Sequence, residues 1–175
     1  AVGNLAALTS LTLDGGAGND TILGGNGDDR LFGGDGDDFV DGNQGSDTAF
    51  LGAGNDIFQW DPGDGSDIVE GQDGFDAMRF NGANIGEAFD ISANGERVRF
   101  TRNIGNIVMD VNGVERIEVN ALGGPDTITV NNLSSTDTTE VAIDLAATIG
   151  GGIGDEAADT VIARGRNGAD AVQVS

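Results

Sequence analysis

From Gly15 to Arg79 the chain says one nine-residue phrase seven times, and that rhythm decides most of what it can fold into. The blocks begin at Gly15, Gly24, Gly33, Gly42, Leu51, Pro62 and Gly71, with Trp60 and Asp61 inserted before the sixth. The fourth position is always glycine: Gly18, Gly27, Gly36, Gly45, Gly54, Gly65 and Gly74. The sixth is always aspartate: Asp20, Asp29, Asp38, Asp47, Asp56, Asp67 and Asp76. The eighth is always apolar: Ile22, Leu31, Val40, Ala49, Phe58, Val69 and Met78. Self-similarity at a fixed short period signals stacked rungs, each in contact with its neighbours.

Each block divides into a turn and a strand. Glycines in the first four positions permit positive φ and close backbone approach, while the last three residues extend with one side chain pointing inward. Two blocks then complete a coil of 18 residues. A turn lies over the turn one coil away, so Asp20, Asp38, Asp56 and Asp76 fall in one column and Asp29, Asp47 and Asp67 in the other. Stacked carboxylates repel unless a cation lies between them. Carboxylate and carbonyl oxygens without nitrogen or sulfur describe a hard cation, and a many-oxygen, flexible set suits Ca²⁺ better than Mg²⁺.

The pattern GGxGxDxUx, with U apolar, resembles the nonapeptide repeat of the repeats-in-toxin (RTX) family. The resemblance implies which atoms bind: one turn offers the carbonyls of positions two and four with its aspartate, and the overlying turn offers those of positions one and three with its own. Carried onto this chain, Gly16, Gly18 and Asp20 face Gly33, Asp35 and Asp38, while Gly25, Gly27 and Asp29 face Gly42, Gln44 and Asp47. Gly34, Gly36 and Asp38 then face Leu51, Ala53 and Asp56. Asn43, Gly45 and Asp47 face Asp64 and Asp67, and Gly52, Gly54 and Asp56 face Asp73 and Asp76. Three intervals in one column and two in the other give up to about five ions. Departures gather at the far end. Leu51 and Pro62 replace the first glycine, Asn43 and Gln72 replace the second, and the Trp60 insertion should bulge out of the coil.

The region from Trp60 to Ser175 also resembles a module of large rhizobial and other proteobacterial calcium-binding RTX proteins, through "PGDGSDIVEGQDG", "RFNGANIGEAFDISANGERVRF" and "NALGGPDTITVNNLSSTD". That resemblance implies no reaction. RTX likeness implies export in unfolded form through a type I secretion channel, with folding outside, hence a secreted, extracellular or cell-surface location.

Beyond Phe80 the period changes to two. Strands are expected at Ala88 to Ser92, Arg97 to Arg102, Ile107 to Val111 and Arg116 to Asn120, with hairpin turns at Asn94-Gly95 and Asn112-Gly113. A short helix near Ile85 to Ala88 is allowed. "DTITVNNLSS", "VAIDLAA" and "DTVIARG" look like further rungs; their Asp126 and Asp159 each precede a Thr and an apolar residue but are not counted as ligands. "GRNGADAVQ", from Gly165 to Gln173, fits the nonapeptide with one mismatch at Arg166, and leaves Asp170 without a stacked partner unless the coil continues past Ser175. The expected fold is all-β: a lead-in strand over 1–14, a parallel β-roll (a calcium-binding β-solenoid) over 15–79, and a β-rich hairpin or solenoid region over 80–175 that continues or caps it.

Charge narrows the partners. Thirty acidic residues stand against eight basic ones, all arginine, for a net charge of −22. Nucleic acid and anionic membrane surfaces need the basic face that this chain lacks. No apolar run approaches a membrane span, "AVGNLAALTSLTLD" lacks the basic start and apolar core of a secretory signal, and the missing initial Met suggests a processed chain or a fragment. Zero cysteines exclude disulfides and thiolate metal sites. One Trp and eight Phe, with no Tyr or His, offer little for a carbohydrate cleft or for acid–base catalysis, so no catalytic residue is expected. The glycine loops open no helix and bring no Lys, which removes a phosphate cradle. Arg97, Arg99 and Arg102 should pair with nearby acids.

The first 79 residues carry 16 acids against Arg30 and Arg79, close to the composition of a disordered chain. The leading expectation is therefore a calcium-binding module that stays unfolded in calcium-poor cytosol and folds in millimolar calcium. Its alternative is a self-assembling, calcium-dependent structural subunit of a surface layer, matrix or fibre. The partners would be other copies of itself or the rest of a larger secreted chain. A polysaccharide-acting enzyme comes third.

Overall fold

Strands this short bury a side chain only by stacking, and the chain does so by winding. The computed structural model describes residues 10–165 and 172–174. β1 (Thr12–Ala17), β2 (Thr21–Leu23), β3 (Arg30–Asp35), β4 (Phe39–Asp41), β5 (Thr48–Gly54), β6 (Ile57–Trp60), β7 (Ile68–Gly74) and β8 (Ala77–Asn81) alternate between two parallel sheets. Thr12 pairs with Arg30 and Arg30 with Thr48, an 18-residue step; Thr48 pairs with Ile68, the same step lengthened by the insertion. Every eighth-position side chain is buried, none above 6% exposed. Full burial of one such aliphatic or aromatic side chain stabilises by about 1.5–3 kcal/mol, and repetition offsets the ordering of so many glycines.

The turns keep their shape even where the glycine pattern lapses. Gly34 has φ +113 and Gly36 has φ +127, and a Cβ on Gly36 would stand 2.6 Å from the Gly18 carbonyl oxygen of the turn below. At the second position of later blocks Asn43 and Gln72 adopt φ +58 and +78 in place of glycine.

Trp60 does not bulge out. It extends β6 opposite Phe80, is fully buried, and stacks on Phe80 with ring centroids 4.0 Å apart. Its indole N–H donates to the Gly65 carbonyl at 2.8 Å. The excursion begins one residue later, where the Asp64 amide donates to the Asp61 carbonyl at 3.0 Å and the Asp61 amide to Asp64 Oδ2 at 2.6 Å. An indole needs more room than Val or Ala leaves, and the core widens at this rung: Phe80 and Phe100 lie 4.4 Å apart, with Phe89 beside both.

The widening comes from β9 (Ala88–Asn94), β10 (Arg97–Arg102) and β11 (Ile107–Asn112), an antiparallel group set within one sheet so that β11 lies parallel to β7. The Asn94-Gly95 hairpin is present, with Gly95 at φ +72. Asn112-Gly113 is not a hairpin; it is a corner at which the chain crosses to β12 (Arg116–Asn120), parallel to β8. Crossing keeps Val111, Val114 and Ile117 all inside. The second reversal instead uses a 3-10 turn over Ile104–Asn106, with Gly105 at φ +75. The helix allowed at Ile85 to Ala88 does not form, because Glu87 is buried in the wall and Ala88 opens β9.

β13 (Thr127–Val130), β14 (Glu140–Asp144), β15 (Thr160–Ala163) and β16 (Val172–Val174) resume the winding with longer turns, as the three later segments suggested. The sheets run β1-β3-β5-β7-β11-β10-β9-β13-β15 and β2-β4-β6-β8-β12-β14-β16. The fold is thus all-β, a parallel roll followed by a hairpin and further solenoid rungs. Among the described residues no helix is long and apolar enough to cross a membrane. Positions 1–9 of the lead-in, and Arg166 and Asp170, lie outside the described residues.

Candidate metal centres in two columns of turns

Turns that lead from the first sheet to the second form one column, and turns that lead back form the other. In the first, the Asp20 amide donates to Asp38 Oδ1 at 2.8 Å, Asp38 to Asp56 Oδ1 at 2.7 Å and Asp56 to Asp76 Oδ1 at 2.9 Å. In the second, the Leu11 amide donates to Asp29 Oδ1 at 2.6 Å, Asp29 to Asp47 Oδ1 at 2.7 Å and Asp47 to Asp67 Oδ1 at 2.8 Å. All seven sixth-position aspartates therefore stand in register. The intervals at Asp47/Asp67 and Asp56/Asp76 keep the ladder despite Leu51, Pro62 and the insertion.

These ladders occupy Oδ1 of Asp29, Asp38, Asp47, Asp56, Asp67 and Asp76, while Asp20 contributes its amide. The second oxygen, Oδ2, of Asp20, Asp38, Asp47, Asp56, Asp67 and Asp76 is buried and receives no hydrogen bond. Only Asp29 of the seven has a donor there, the Gly25 amide at 2.7 Å. A buried acceptor without a partner costs about 1–3 kcal/mol, more when charged. Burial pushes the Asp47 and Asp67 carboxyls up to about 7 against the backbone hydrogen bonds that lower them, with neighbouring carboxylates adding to the rise. Asp76 rises to about 6 for the same reasons, and Asp56 is raised.

The surroundings fit a hard cation. A Cβ on Gly33 would lie 2.6 Å from Asp38 Oδ2, and one on Gly71 2.7 Å from Asp76 Oδ2, so a bare first position leaves space beside the orphaned oxygen. The carbonyls of Asp35, Gln44 and Ala53 each accept one amide, from Gly18, Gly27 and Gly36 at 2.6–2.7 Å, and keep a second lone pair. The carboxylates of Asp35 and Asp73 belong to exposed residues; only their carbonyls entered the expected set. Asp64 differs, since its carboxylate is engaged by the Asp61 amide. No group of three or more acidic side chains able to hold a metal occurs among the described residues. Two carboxylates with backbone carbonyls is the donor set that the turns present.

Other acids have structural work. The fifth-position side chains of Asn19, Asp37 and Asn55 accept the amides of Asp37, Asn55 and Phe75 at 2.8–3.1 Å, and Asp28 accepts the Ser46 amide at 2.9 Å. Arg97 pairs with Glu70 at 2.8 Å and Asp110 at 2.6 Å. Arg102 makes a buried pair with Glu87 and lies 5.2 Å over the Trp60 ring. Arg99 is exposed and takes no carboxylate partner among the described residues.

Sequence reasoning missed two continuations. Glu115 extends the first column, its Oε2 accepting the Asp76 amide at 2.7 Å. Beyond the antiparallel group the second column restarts: the Glu87 amide donates to Asp126 Oδ1 at 2.8 Å, and the Asp126 amide to Asp159 Oδ1 at 3.0 Å. One signal was present, for Gly124, Asp126 and Ile128 keep the fourth, sixth and eighth positions of the phrase.

A family model of the RTX calcium-binding nonapeptide repeat, in four copies, matches residues 12–40 and again residues 23–58. No curated protein and no solved structure matches the chain. With the winding, the register and the matched segment in agreement, residues 12–58 carry RTX calcium-binding nonapeptide repeats, a family of structural calcium-binding repeats.

Proposed function

We propose that this chain is a calcium-triggered folding module of a secreted bacterial protein, disordered where calcium is scarce and wound into its roll outside the cell. The observation that carries the reading is the run of six buried, unpartnered aspartate oxygens in two columns at coil spacing. The ligands would be the carbonyls of Gly16, Gly18, Gly25, Gly27, Gly34, Gly36, Asn43, Gly45, Gly52 and Gly54 from the lower turns. Those of Gly33, Asp35, Gly42, Gln44, Leu51, Ala53, Asp64 and Asp73 would come from the upper turns, with the seven sixth-position aspartates between.

When bound, calcium supplies positive charge between carboxylates that otherwise repel. The chain's own part is to hold those oxygens dry and in register. In its turn the bound state is selected by mass action, since the unfolded chain has no preformed site. Sites with a Kd on the order of 10⁻⁴ to 10⁻³ M suffice in extracellular fluid.

Trp60, the sole tryptophan, reports on this directly because folding buries it against Phe80. In chelator its emission should be that of exposed indole and far-ultraviolet dichroism that of a disordered chain. Added calcium should shift the emission to the blue and bring out strand signal. Equal strand content in chelator and calcium would reject the reading. Sedimentation in calcium separates the module, which stays monomeric, from a self-assembling subunit.

A further inference from the structure

Seven buried aspartate oxygens lack a donor among the described residues, and the seventh lies far outside the repeat array. It is Asp126 Oδ2, on a residue only 1% exposed, in the turn that leads from β12 to β13. Its Oδ1 is occupied by the Glu87 amide, and its own amide donates to Asp159 Oδ1. The turn copies the array's backbone: Leu122 at the second position has φ +66 and Gly124 at the fourth has φ +107.

The charges around it are unbalanced. Burial raises the Asp126 carboxyl to about 6 against the Glu87 amide that lowers it, and Asp159, Glu87 and Asp155 all add to the rise. Glu87 is already answered, with Oε1 on Arg102 and Oε2 on the Ala83 amide at 2.7 Å. The Asp155 carboxylate accepts the amides of Gly124 and Ala157. Asp126 and Asp159 remain, stacked one over the other with no arginine paired to either among the described residues. Where the column has an arginine, at Glu87, no oxygen is left without a donor; where it has none, one is.

We propose that the 121–126 and 154–159 turns form a further divalent-cation site, with Asp126 and Asp159 as its anionic ligands and turn carbonyls completing an all-oxygen set of the kind that takes calcium. The site stands apart from the nonapeptide array. It would hold the later rungs β13 and β15 to each other as the array's sites hold the earlier ones together.

Equilibrium dialysis of the full chain against calcium chloride, with bound calcium counted by atomic emission, tests it. Asp126→Asn and Asp159→Asn should each bind one ion fewer than the parent, and the same decrement should appear in an Asp38→Asn/Asp47→Asn background. Dichroism identifies variants that keep the fold; if Asp126→Asn loses it, the half-exposed Asp159→Asn decides. An unchanged count in folded variants overturns the site while leaving the array intact. A parent chain that binds no calcium at all overturns both.

Discussion

Asp47→Asn separates the two jobs of a ladder carboxylate. Asparagine keeps an Oδ1 that can accept the Asp29 amide, now 2.7 Å away, but replaces the unpartnered Oδ2 with an amide nitrogen and removes the charge. Asp47 stands between the Asp29 and Asp67 turns and so borders two candidate sites. With calcium at about 100 times Kd, each site adds about 2.7 kcal/mol to stability, so loss of both should cost about 5 kcal/mol. In chelator the sign reverses. The substitution removes a buried charge without a partner and should relieve about 1–3 kcal/mol. Urea unfolding followed through Trp60 emission, in calcium and in chelator with a stabilising osmolyte, measures both numbers. Equal destabilisation in the two conditions would mean that Asp47 serves the hydrogen-bond ladder alone, and the reasoning about cations would fail.

Acidity should act in opposite directions with and without calcium. In chelator the folded Asp47 and Asp67 carboxyls sit at about 7, above their unfolded range near 4, so their contribution is full at low pH and is lost as pH rises through about 7. Strand content in chelator should therefore increase from about pH 8 to about pH 5, while calcium-supported stability should fall over that range; a chelated chain that gains stability with rising pH contradicts this. Gly34→Ala, at φ +113, would set its methyl on the Gly16 backbone and should cost more than about 3 kcal/mol. Gly16→Ala, at φ +91 with open space around it, should cost only about 1–2 kcal/mol, and thermal melts in calcium rank the pair. Arg102→Met strands Glu87 in the core and should destabilise by about 3–5 kcal/mol, most of it recovered by adding Glu87→Gln; a double-mutant cycle by urea unfolding checks the recovery.

The array was legible because its residues answer to local rules. Each sixth-position aspartate sits where the spacing put it, and each eighth-position side chain points inward. Trp60 misled because a two-residue insertion looks like a bulge when only the count is considered, whereas an indole is worth burying wherever the core can widen. Asn112-Gly113 misled for a related reason. The pair permits a tight turn but does not say whether the chain returns along the same sheet or crosses to the other, and burial of Val114 and Ile117 settled that. Glu87, Glu115 and Asp126 were harder still. Their places depend on which strands lie between successive turns, and one of those strands, β10, runs against its neighbours and adds two strands to a single sheet.

That antiparallel group makes one sheet two strands longer than the other among the described residues, and it breaks one column of turns while the other runs on to Glu115. At the break the chain supplies its own countercharge, Arg102, clamped between Glu87 and the Trp60 ring. The middle of the molecule thus behaves as a firebreak. The coils on one side owe their winding to calcium, whereas the knot of aromatic rings owes nothing to dissolved salts, so refolding on calcium addition should close first around the rings and then wind outward.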